Sequence, residues 1–563
     1  MQRKRILIVG GVAGGASCAA RARRLSETAE IVIFDRGDYV SFANCGLPYY
    51  VGDVIRKEDD LLVATPELFR ERFNIEVRLQ ADVVAIDRNR QTISVKDLRS
   101  GSVYAEAYDA LVLSPGATPI RPNLPGIDLP GIFSLRTIPD SRRIREWIDR
   151  NQAKRALIVG GGYIGMEMTE NLVRRGLAVT VVEMQSQIMP LLDSEMAMPV
   201  QTLLASEGVR LRLNETVTGF AAGAGGALSV QLASGEAEAA DLVLLCIGVR
   251  PETGLARAAG LEVGEHGGIR VDARMRTSSP HIWAVGDAVE VRDAVTHRYA
   301  VVPLAGPANR QGRIAADVIM GREAAFRGVQ GTSVVGILGS VVAFTGPSEK
   351  TLRKSGLWGD GSYEKIYLHP GHHAGYYPGA TPISLKLIFR RDDGRVVSAQ
   401  AFGREGVERR IDVIAMTIQK GGTVFDLEEA ELCYAPQFGS AKDPVNMAGM
   451  IAANVIRGDA RIAHWEDLER TPALILDVRD PAEFKSGSIP GAAHIPLGEL
   501  RRRMGELPRD RDIWAYCFVG QRSYYASRAL QQYGYRIKNI SGGYKTFLQS
   551  RPPAPEPAGK KAE

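Results

Sequence analysis

The feature that most constrains this chain is one pattern written twice in its first third. Arg5 to Gly10 (RILIVG) is an apolar, β-branched run that opens into GGVAGG and the small-residue stretch ASCAARARRL, and Ile31 to Asp35 (IVIFD) follows, ending in an acid. Arg155 to Gly160 (RALIVG) opens in the same way into GGGYIG and MEMTENLVRR, and Ala178 to Glu183 (AVTVVE) again ends in an acid. Runs that are apolar throughout are strands buried on both faces, and the helical stretches between them are the crossovers that cover a parallel sheet. The expected fold class is therefore α/β, with two nested Rossmann-like domains.

Each copy carries the physics of a dinucleotide site. Glycines permit the tight turn and the close approach of backbone to a pyrophosphate, the helix N-terminus faces that anion, and the terminal carboxylate accepts from a ribose hydroxyl. In the second copy Gly160, Gly162 and Gly165 fit the spacing and Glu183 is the acid; in the first, Gly10 and Gly15 fit, Val12 replaces the middle glycine, and Asp35 is the acid. Two such sites suggest one bound flavin dinucleotide and one exchanging nicotinamide. Glu183 favours NADH over NADPH, because a carboxylate repels a 2′-phosphate. Arg174 and Arg175 on the preceding helix would soften that preference.

Composition narrows the class further. The 563 residues allow three or four domains, and 45% hydrophobic with 24% charged residues is globular. A net charge of +5 argues against a nucleic-acid binder. The apolar stretch Leu242 to Ile247 is far short of the ~20 residues a membrane helix needs. The basic start MQRKR runs straight into the glycine turn with no signal-peptide core. Five cysteines without a CxxC pair exclude a disulfide scaffold or a cysteine-rich metal module, and the expected setting is a reducing cytoplasm.

The cysteines divide by context. Cys18 among alanines of the first helix and Cys246 in DLVLLCIG read as packing. Cys45 stands in SFANCGLPYY with no nearby cysteine to pair with. Cys517 follows a strand in YCFVGQRS, where Phe518, Val519, Gly520, Gln521 and Arg522 form a loop able to fold backbone N–H groups around the sulfur, Arg522 adding positive charge. Cys433, before Tyr434 in CYAPQFG, stays undecided. His369, His372 and His373 in YLHPGHHAGYY lack a nearby carboxylate or cysteine to complete a metal set and read as a polar loop, so no metal is expected.

SFANCGLPYY resembles the single-cysteine branch of the flavoprotein disulfide reductases, the coenzyme A-disulfide and persulfide reductases. TSSPHIWAVGD (Thr277 to Asp287) resembles their second FAD motif, and LDVRD with GSIPGA (Leu476 to Ala492) resembles the opening of a rhodanese domain. The resemblance implies FAD contacts from Gly10, Val12, Ala13, Gly14, Gly15, Asp35, Arg36, Asn44, Ser114, Pro115, Gly116, Asp287, Pro303 and Ala305. It implies nicotinamide contacts from Gly160, Gly162, Tyr163, Ile164, Gly165, Glu183 and Gly248. Coenzyme A contacts would come from Ser17, Arg24, Ser41, Asn44 and Lys442, with Phe73 standing where some relatives carry a lysine. Tyr376 and Tyr434 would act across a homodimer interface, with active sites shared between subunits.

The expected order is a first FAD segment (1–118), a NAD domain (119–247), a second FAD segment (248–323), an α+β dimerisation domain (324–453), a linker (454–466), an α/β rhodanese domain (467–550) and a disordered tail (551–563). The implied activity is NAD(P)H-driven reduction of coenzyme A persulfide, polysulfide or disulfide through Cys45. One tightly bound FAD per subunit would pass the electrons, and Cys517 would handle sulfane sulfur. Three alternatives stand beside it. One is a coenzyme A-disulfide reductase for thiol balance with an accessory rhodanese module. The second is an NADH oxidase or peroxidase using a sulfenic acid at Cys45. The last is a redox-sensing binding protein.

Overall fold

The structure, a computed structural model, describes residues 4–359 and 361–551. Residues 552–563, nearly all of the expected tail, lie outside them. The chain forms two compact units, residues 1–186 with 209–331 and residues 187–208 with 332–563.

In the first unit both repeated patterns become parallel sheets. β1 (Arg5–Val9), α1 (Gly14–Leu25), β2 (Glu30–Phe34), α2 (Leu47–Val51), β3 (Glu76–Arg78) and β4 (Ala110–Leu113) build the first. β5 (Ile132–Phe133), β6 (Arg155–Val159), α3 (Tyr163–Arg174), β7 (Ala178–Glu183), β8 (Arg210–Leu213) and β9 (Leu242–Leu245) build the second. β10 (Ile282–Ala284) returns to the first sheet, ordered β10-β4-β1-β2-β3, while the second is ordered β8-β7-β6-β9-β5. In each, the strand before the glycine turn is central, so its end opens at the point where strand order reverses, where α/β sheets bind ligands. The core of the first sheet (Ile6, Leu7, Ile8, Val32, Ile33, Leu111, Val112) is fully buried, as continuous apolar strands require. Cys18 lies in that core, and burial pushes its thiol up to about 12; desolvation likewise pushes up to about 12 the thiol of Cys246, a half-buried residue after β9.

The second unit contains the helix α4 (Ser194–Ser206), which the sequence reading placed in the NAD domain. With it come β11 (Ser333–Ile337), β12 (Ser340–Thr345), α5 (Glu349–Lys354), β13 (Tyr363–Leu368), β14 (Ser384–Arg390), β15 (Val396–Gly403), α6 (Val407–Gln419) and α7 (Pro444–Ile456). The sheet is antiparallel, in the order β11-β12-β15-β14-β13. A parallel sheet follows from β16 (Ile462–Ala463), β17 (Leu474–Asp477), β18 (Ala493–His494), β19 (Ile513–Tyr516) and β20 (Ile537–Ile540), ordered β16-β20-β19-β17-β18. The polar stretch expected as a linker is thus part of the structure: α7 runs to Ile456, β16 is an edge strand paired with β20, and Trp465 is buried with its indole N–H on the Gly543 carbonyl at 2.7 Å. Among the described residues no helix is long and apolar enough to cross a membrane.

A buried charge cluster ties these layers together. The Lys386 ammonium on β14 donates to Asp193 (2.9 Å), Glu195 (2.6 Å) and Glu349 (2.8 Å), while Lys365 on β13 reaches Glu349 and Glu466. Burial pulls against the charge on Lys386, yet Tyr367, Glu195, Asp193 and Glu349 hold it protonated, well above the ordinary lysine value. Asp193, Glu195 and Glu349 could form a cation site by their spacing, but the ammonium already occupies the centre of their hydrogen bonds.

Candidate functional site

The first glycine turn is shaped by contacts no side chain could survive. Gly10 has φ +91°, and a Cβ there would lie 2.1 Å from the Ser114 carbonyl oxygen; a Cβ on Gly15 would lie 1.9 Å from the Gly10 carbonyl. Gly15 N–H donates to Ser114 Oγ at 3.1 Å. A Cβ on Gly14 would meet Val285, Ser114 Oγ and the Ala308 carbonyl within 3.3 Å, so the turn, Ser114, the Asp287 segment and the helix α8 (Ala305–Ile319) converge. Neither N-cap residue, Ala13 of α1 or Leu304 of α8, caps its helix with a side chain, so apart from the Gly15 N–H held by Ser114 the first-turn N–H groups are left for an anion, with Val12, Pro303 and Ala305 at the edges.

Asp35 accepts from Gly11 N–H (3.0 Å) and Gly37 N–H (2.9 Å), and burial pushes its carboxyl up. Asp287 follows Gly286 (φ +83°), whose N–H donates to Gln311 Oε1 at 2.8 Å, and makes no side-chain hydrogen bond among the described residues. Burial raises its pKa as well. An uncommitted, desolvated carboxylate beside two open helix ends fits a flavin dinucleotide. Pro115 accepts from Arg136 at 3.1 Å, and Gly116 (φ +76°) shapes the crossover. Arg36 is committed to Glu252 (2.6 Å), so its side chain braces the rim.

The second turn repeats the construction. Gly160 has φ +104° with a Cβ position 2.4 Å from the Cys246 carbonyl, and Gly165 packs 2.1 Å from the Gly160 carbonyl by the same measure. Gly162 is different: a Cβ there meets nothing within 4 Å. Its lack of a side chain opens space beside Tyr163 and Ile164 at the start of α3. Glu183 is buried and accepts from Gly161 N–H (2.7 Å) and Gln185 N–H (2.9 Å). Gly248 (φ +107°) closes the crossover. Arg174 is paired with Glu170 (2.8 Å), and Arg175 with Asp53 and the Val51 carbonyl. The two arginines expected to soften the preference for NADH are therefore engaged elsewhere.

Cys45 is exposed in a 3-10 turn, Asn44–Gly46, directly before α2. Ala43 N–H donates to the Leu61 carbonyl (2.8 Å), and Ser41 sits at φ +49° with its carbonyl accepting from Val63 N–H (2.8 Å) and Ala64 N–H. Ser41 N–H donates to the Gly11 carbonyl, which ties the sulfur loop to the first glycine turn. Desolvation pushes the Cys45 thiol up, followed by the negative charges of Glu167 and Asp287. Asn44 is exposed beside it, and Arg24 is exposed in the last turn of α1. Ser17 is hydrogen-bonded to Asn309.

In the second unit, Tyr376 and Tyr434 are exposed with their hydroxyls 2.7 Å apart, and Cys433 and Lys442 are exposed on the same segments. The histidines serve packing: His369 bonds Ser384 and Thr546, His372 bonds Thr381, and His373 contacts the Ala374 carbonyl.

Cys517 is fully buried at the end of β19, before the helix α9 (Gln521–Gln532). Gly520, at φ +94°, donates its N–H to Cys517 Sγ at 3.1 Å, and Ser523 Oγ donates at 3.5 Å. Ser523 is a contact the sequence reading quoted but did not assign. The loop is backed by the helix α10 (Gly543–Gln549): Tyr544 N–H donates to the Cys517 carbonyl and Lys545 N–H to the Phe518 carbonyl, each at 2.8 Å. Arg522 pairs with Glu483 (2.6 Å) and Asp480 (3.0 Å), so its charge is shared with two carboxylates. Phe518 is exposed at the loop tip.

The family profile described as pyridine nucleotide-disulphide oxidoreductase matches residues 4–312, that of its dimerisation domain residues 334–444, and the rhodanese-like domain residues 463–550. A coenzyme A disulfide reductase of Staphylococcus haemolyticus is 35% identical over 453 residues, 80% of this chain and 100% of that protein. The structure of reduced Bacillus anthracis CoADR-RHD superposes with a TM-score of 0.95 at 46% identity, covering 98% of each chain. A NAD-dependent persulfide reductase from A. fulgidus gives 0.88 at 34% identity, over 96% of this chain and 100% of that one.

Proposed function

Because the chain belongs to the pyridine nucleotide-disulphide oxidoreductase family, an enzyme family that uses FAD and a nicotinamide dinucleotide, we propose that it reduces coenzyme A persulfide, with coenzyme A disulfide as a second substrate, at the expense of NADH. One observation carries the reading: the chain builds two separate sulfur sites. Cys45 is exposed without a partner thiol, and Cys517 is enclosed by a glycine N–H and a serine hydroxyl. An oxidase or peroxidase reading leaves the second site without a role.

The first cradle, with Gly10, Gly15, Asp35 and Asp287, would hold FAD, which when bound would supply the two electrons for sulfur. Cys45 thiolate attacks the outer sulfur of the persulfide; the new S–S bond forms to Cys45 and the coenzyme A thiolate leaves. Two electrons then cleave the Cys45 persulfide, regenerating the Cys45 thiolate and releasing hydrosulfide. The hydroxyl pair of Tyr376 and Tyr434 is assigned to protonate the leaving thiolate, each subunit of the homodimer lending its pair to the other. Arg24 and Lys442, both exposed and without an ion pair among the described residues, are assigned to the coenzyme A phosphates. Cys517 carries sulfane sulfur from polysulfide or another donor to coenzyme A, held by the Gly520 and Ser523 donors. Glu183, with both arginines engaged, supports NADH as the reductant.

The test is anaerobic turnover with NADH on coenzyme A persulfide, coenzyme A disulfide and oxygen, for the wild type, Cys45→Ser and Cys517→Ser. Cys45→Ser is expected to abolish both coenzyme A reactions, and Cys517→Ser to slow only those fed by polysulfide. Equal persulfide turnover in Cys45→Ser and wild type would refute the assignment.

A further inference from the structure

The turn that carries Cys45 has two flanks, and neither is held from within. One flank is α2, which begins two residues after the cysteine. The other is the 3-10 turn Glu58–Leu61: the Leu61 carbonyl accepts from Ala43 N–H at 2.8 Å, and a Cβ on Gly46 would lie 2.8 Å from Leu61 Cδ2. A helix of five residues does not hold itself, so the orientation of α2 comes from its neighbours.

Three arginines supply it. The helix Ile138–Arg150 starts on a Thr137–Asp140 capping box and buries Ile144 and Ile148, which sets Arg142, Arg145 and Asp149 together along the opposite flank. Arg142 donates from Nε to Glu58 (2.8 Å) and from Nη2 to the same carboxylate and to the Tyr39 hydroxyl (2.9 Å); these bonds hold Glu58 below its ordinary pKa. Arg145 donates to the Tyr50 carbonyl (3.2 Å), lies 4.7 Å from the Tyr50 ring centroid and pairs with Asp53. Arg175, the C-cap residue of α3, donates to the Val51 carbonyl (2.9 Å) and pairs with Asp53 (3.2 Å) and Asp149. The last carbonyls of α2 are thus met by two cations, the favourable sign at a helix C-terminus. Asp53, between them, stands at φ +60°, and a Cβ on Gly52 would lie 2.1 Å from Asn171 Oδ1, so the end of α2 is set tightly against α3.

We propose that Arg142, Arg145 and Arg175 are positioning residues for Cys45. Arg142 fixes the Glu58 flank, Arg145 and Arg175 fix the end of α2, and Arg175 reads no phosphate of the nucleotide. All three belong to the segment that carries the second glycine turn, since α3 begins beside Gly162 and ends at this brace. The sulfur turn, which is tied by Ser41 N–H to the first glycine turn, is therefore mounted on the segment of the second. The consequence for turnover rests on Cys45 as the nucleophile proposed above; the bracing itself does not.

The experiment compares the flavin-loaded wild type with Arg142→Met, Arg175→Met, Arg175→Lys and Glu58→Gln without oxygen. Hydrogen exchange of peptides covering residues 41–63 is expected to quicken about tenfold in both methionine variants. Bleaching of the flavin by NADH is expected to stay within twofold of wild type, while kcat with coenzyme A disulfide falls roughly 10- to 100-fold, the cost of a displacement of about 1 Å at a reacting group. KM for NADH and the ratio of NADPH to NADH use are expected to hold. Arg175→Lys is expected to stay low, because it keeps the charge but loses the fork that reaches Val51, Asp53 and Asp149 together. Glu58→Gln is expected to lower kcat in the same way and to add nothing to Arg142→Met in the double variant, and it carries the test alone if Arg142→Met does not fold. Flavin bleaching slowed as much as kcat would overturn the proposal, since the arginines would then serve the fold or the nucleotide. So would exchange and kcat within twofold of wild type, or a ratio of NADPH to NADH use that shifts more than fivefold in Arg175→Met. Wild-type turnover of coenzyme A disulfide by Cys45→Ser would remove the proposed function and leave the exchange profile to decide the bracing.

Discussion

Replacing Lys386 with methionine removes the only ammonium that reaches Glu195 among the described residues. Its neighbours would not suffer equally. Asp193 keeps Glu349 N–H, Lys350 N–H and the Gln400 amide, and Glu349 keeps Lys365 and Arg353. Glu195 keeps no cation, only the hydroxyls of Tyr367 at 2.7 Å and Ser194 at 3.3 Å. Burial would raise its pKa, yet Lys386, by charge and hydrogen bond, holds it at about 2, from an ordinary 4.5. At about 1.4 kcal/mol per pKa unit that is about 3 kcal/mol of stability at neutral pH, within the range for breaking a buried pair from one side. In the wild type this contribution is complete above pH 4.5 and fades as pH falls toward 2. In Lys386→Met the carboxyl titrates above 4.5, so the deficit is largest at pH 7 and shrinks as pH falls to 4.5. Hydrogen exchange of peptides covering α4, α5 and α10 reads this directly: about 150-fold faster exchange at pH 7 after correction for intrinsic rates, with a smaller ratio at pH 5. Protection within threefold of wild type at pH 7, or a ratio that does not shrink at pH 5, would refute the reasoning.

Two further outcomes follow from the glycine turns and from His369. Gly15→Ala places a methyl 1.9 Å from the Gly10 carbonyl and is expected to abolish FAD retention, measured by flavin absorbance after gel filtration. Gly162→Ala meets nothing within 4 Å, so Tm is expected to stay unchanged while KM for NADH rises at least tenfold; a matching loss of Tm would mean that Gly162 serves the fold and not the ligand. Burial, then Lys545, lowers His369 from 6.5 to about 3, so its contribution is complete above pH 6.5 and is lost as pH falls toward 3. Urea unfolding followed by tryptophan fluorescence is expected to lose about 2–3 kcal/mol between pH 6.5 and 4.5 from this residue, and His369→Gln to flatten that slope.

What was legible in the sequence was the chemistry carried by local spacing. Each glycine turn, its strand and its terminal acid lie within a short stretch, so the pattern names both the turn and the donors that Asp35 and Glu183 accept from. The sulfur loop of Cys517 is equally local, because Gly520 and Ser523 reach the thiol within six residues of it. What could not be read depends on contacts between distant segments. Lys386 lies between two leucines in a strand whose other polar residues, Ser384 and Arg390, stand at its ends, and its three partners come from residues 193, 195 and 349. The polar stretch after Arg457 looked like a spacer because its anchors are distant in sequence: Trp465 buries itself against the Gly543 carbonyl, His464 meets Glu364 and β16 pairs with β20. Arg36 was expected at the flavin, Arg175 near the nicotinamide and Arg522 at the sulfur loop, and each has a carboxylate partner from a distant segment that only the fold supplies, whereas Arg174 pairs one turn away with Glu170.

The segment that backs the Cys517 loop also faces the antiparallel sheet, and this makes the rhodanese-like domain more than an appendage. Tyr367 N–H donates to Ser541 Oγ at 2.9 Å, a Cβ on Gly542 would sit 2.6 Å from Tyr367 Cβ, and His369 reaches Thr546 Oγ1 at 2.8 Å. Immediately beyond, a Cβ on Gly543 would lie 2.5 Å from the Cys517 carbonyl. One short run of backbone therefore touches the sulfur loop on one side and β13 on the other, and left-handed glycines at 542 and 543 are what allow both approaches. Tyr367 in turn donates to Glu195, within the Lys386 cluster. A tethered carrier domain would need none of this, since a flexible linker alone would let its sulfur reach a diffusing acceptor. The docking is too close to tolerate side chains and is backed by buried charge. It fixes Cys517 in the frame of the dimerisation sheet, the same sheet whose neighbouring segments expose Tyr376 and Tyr434.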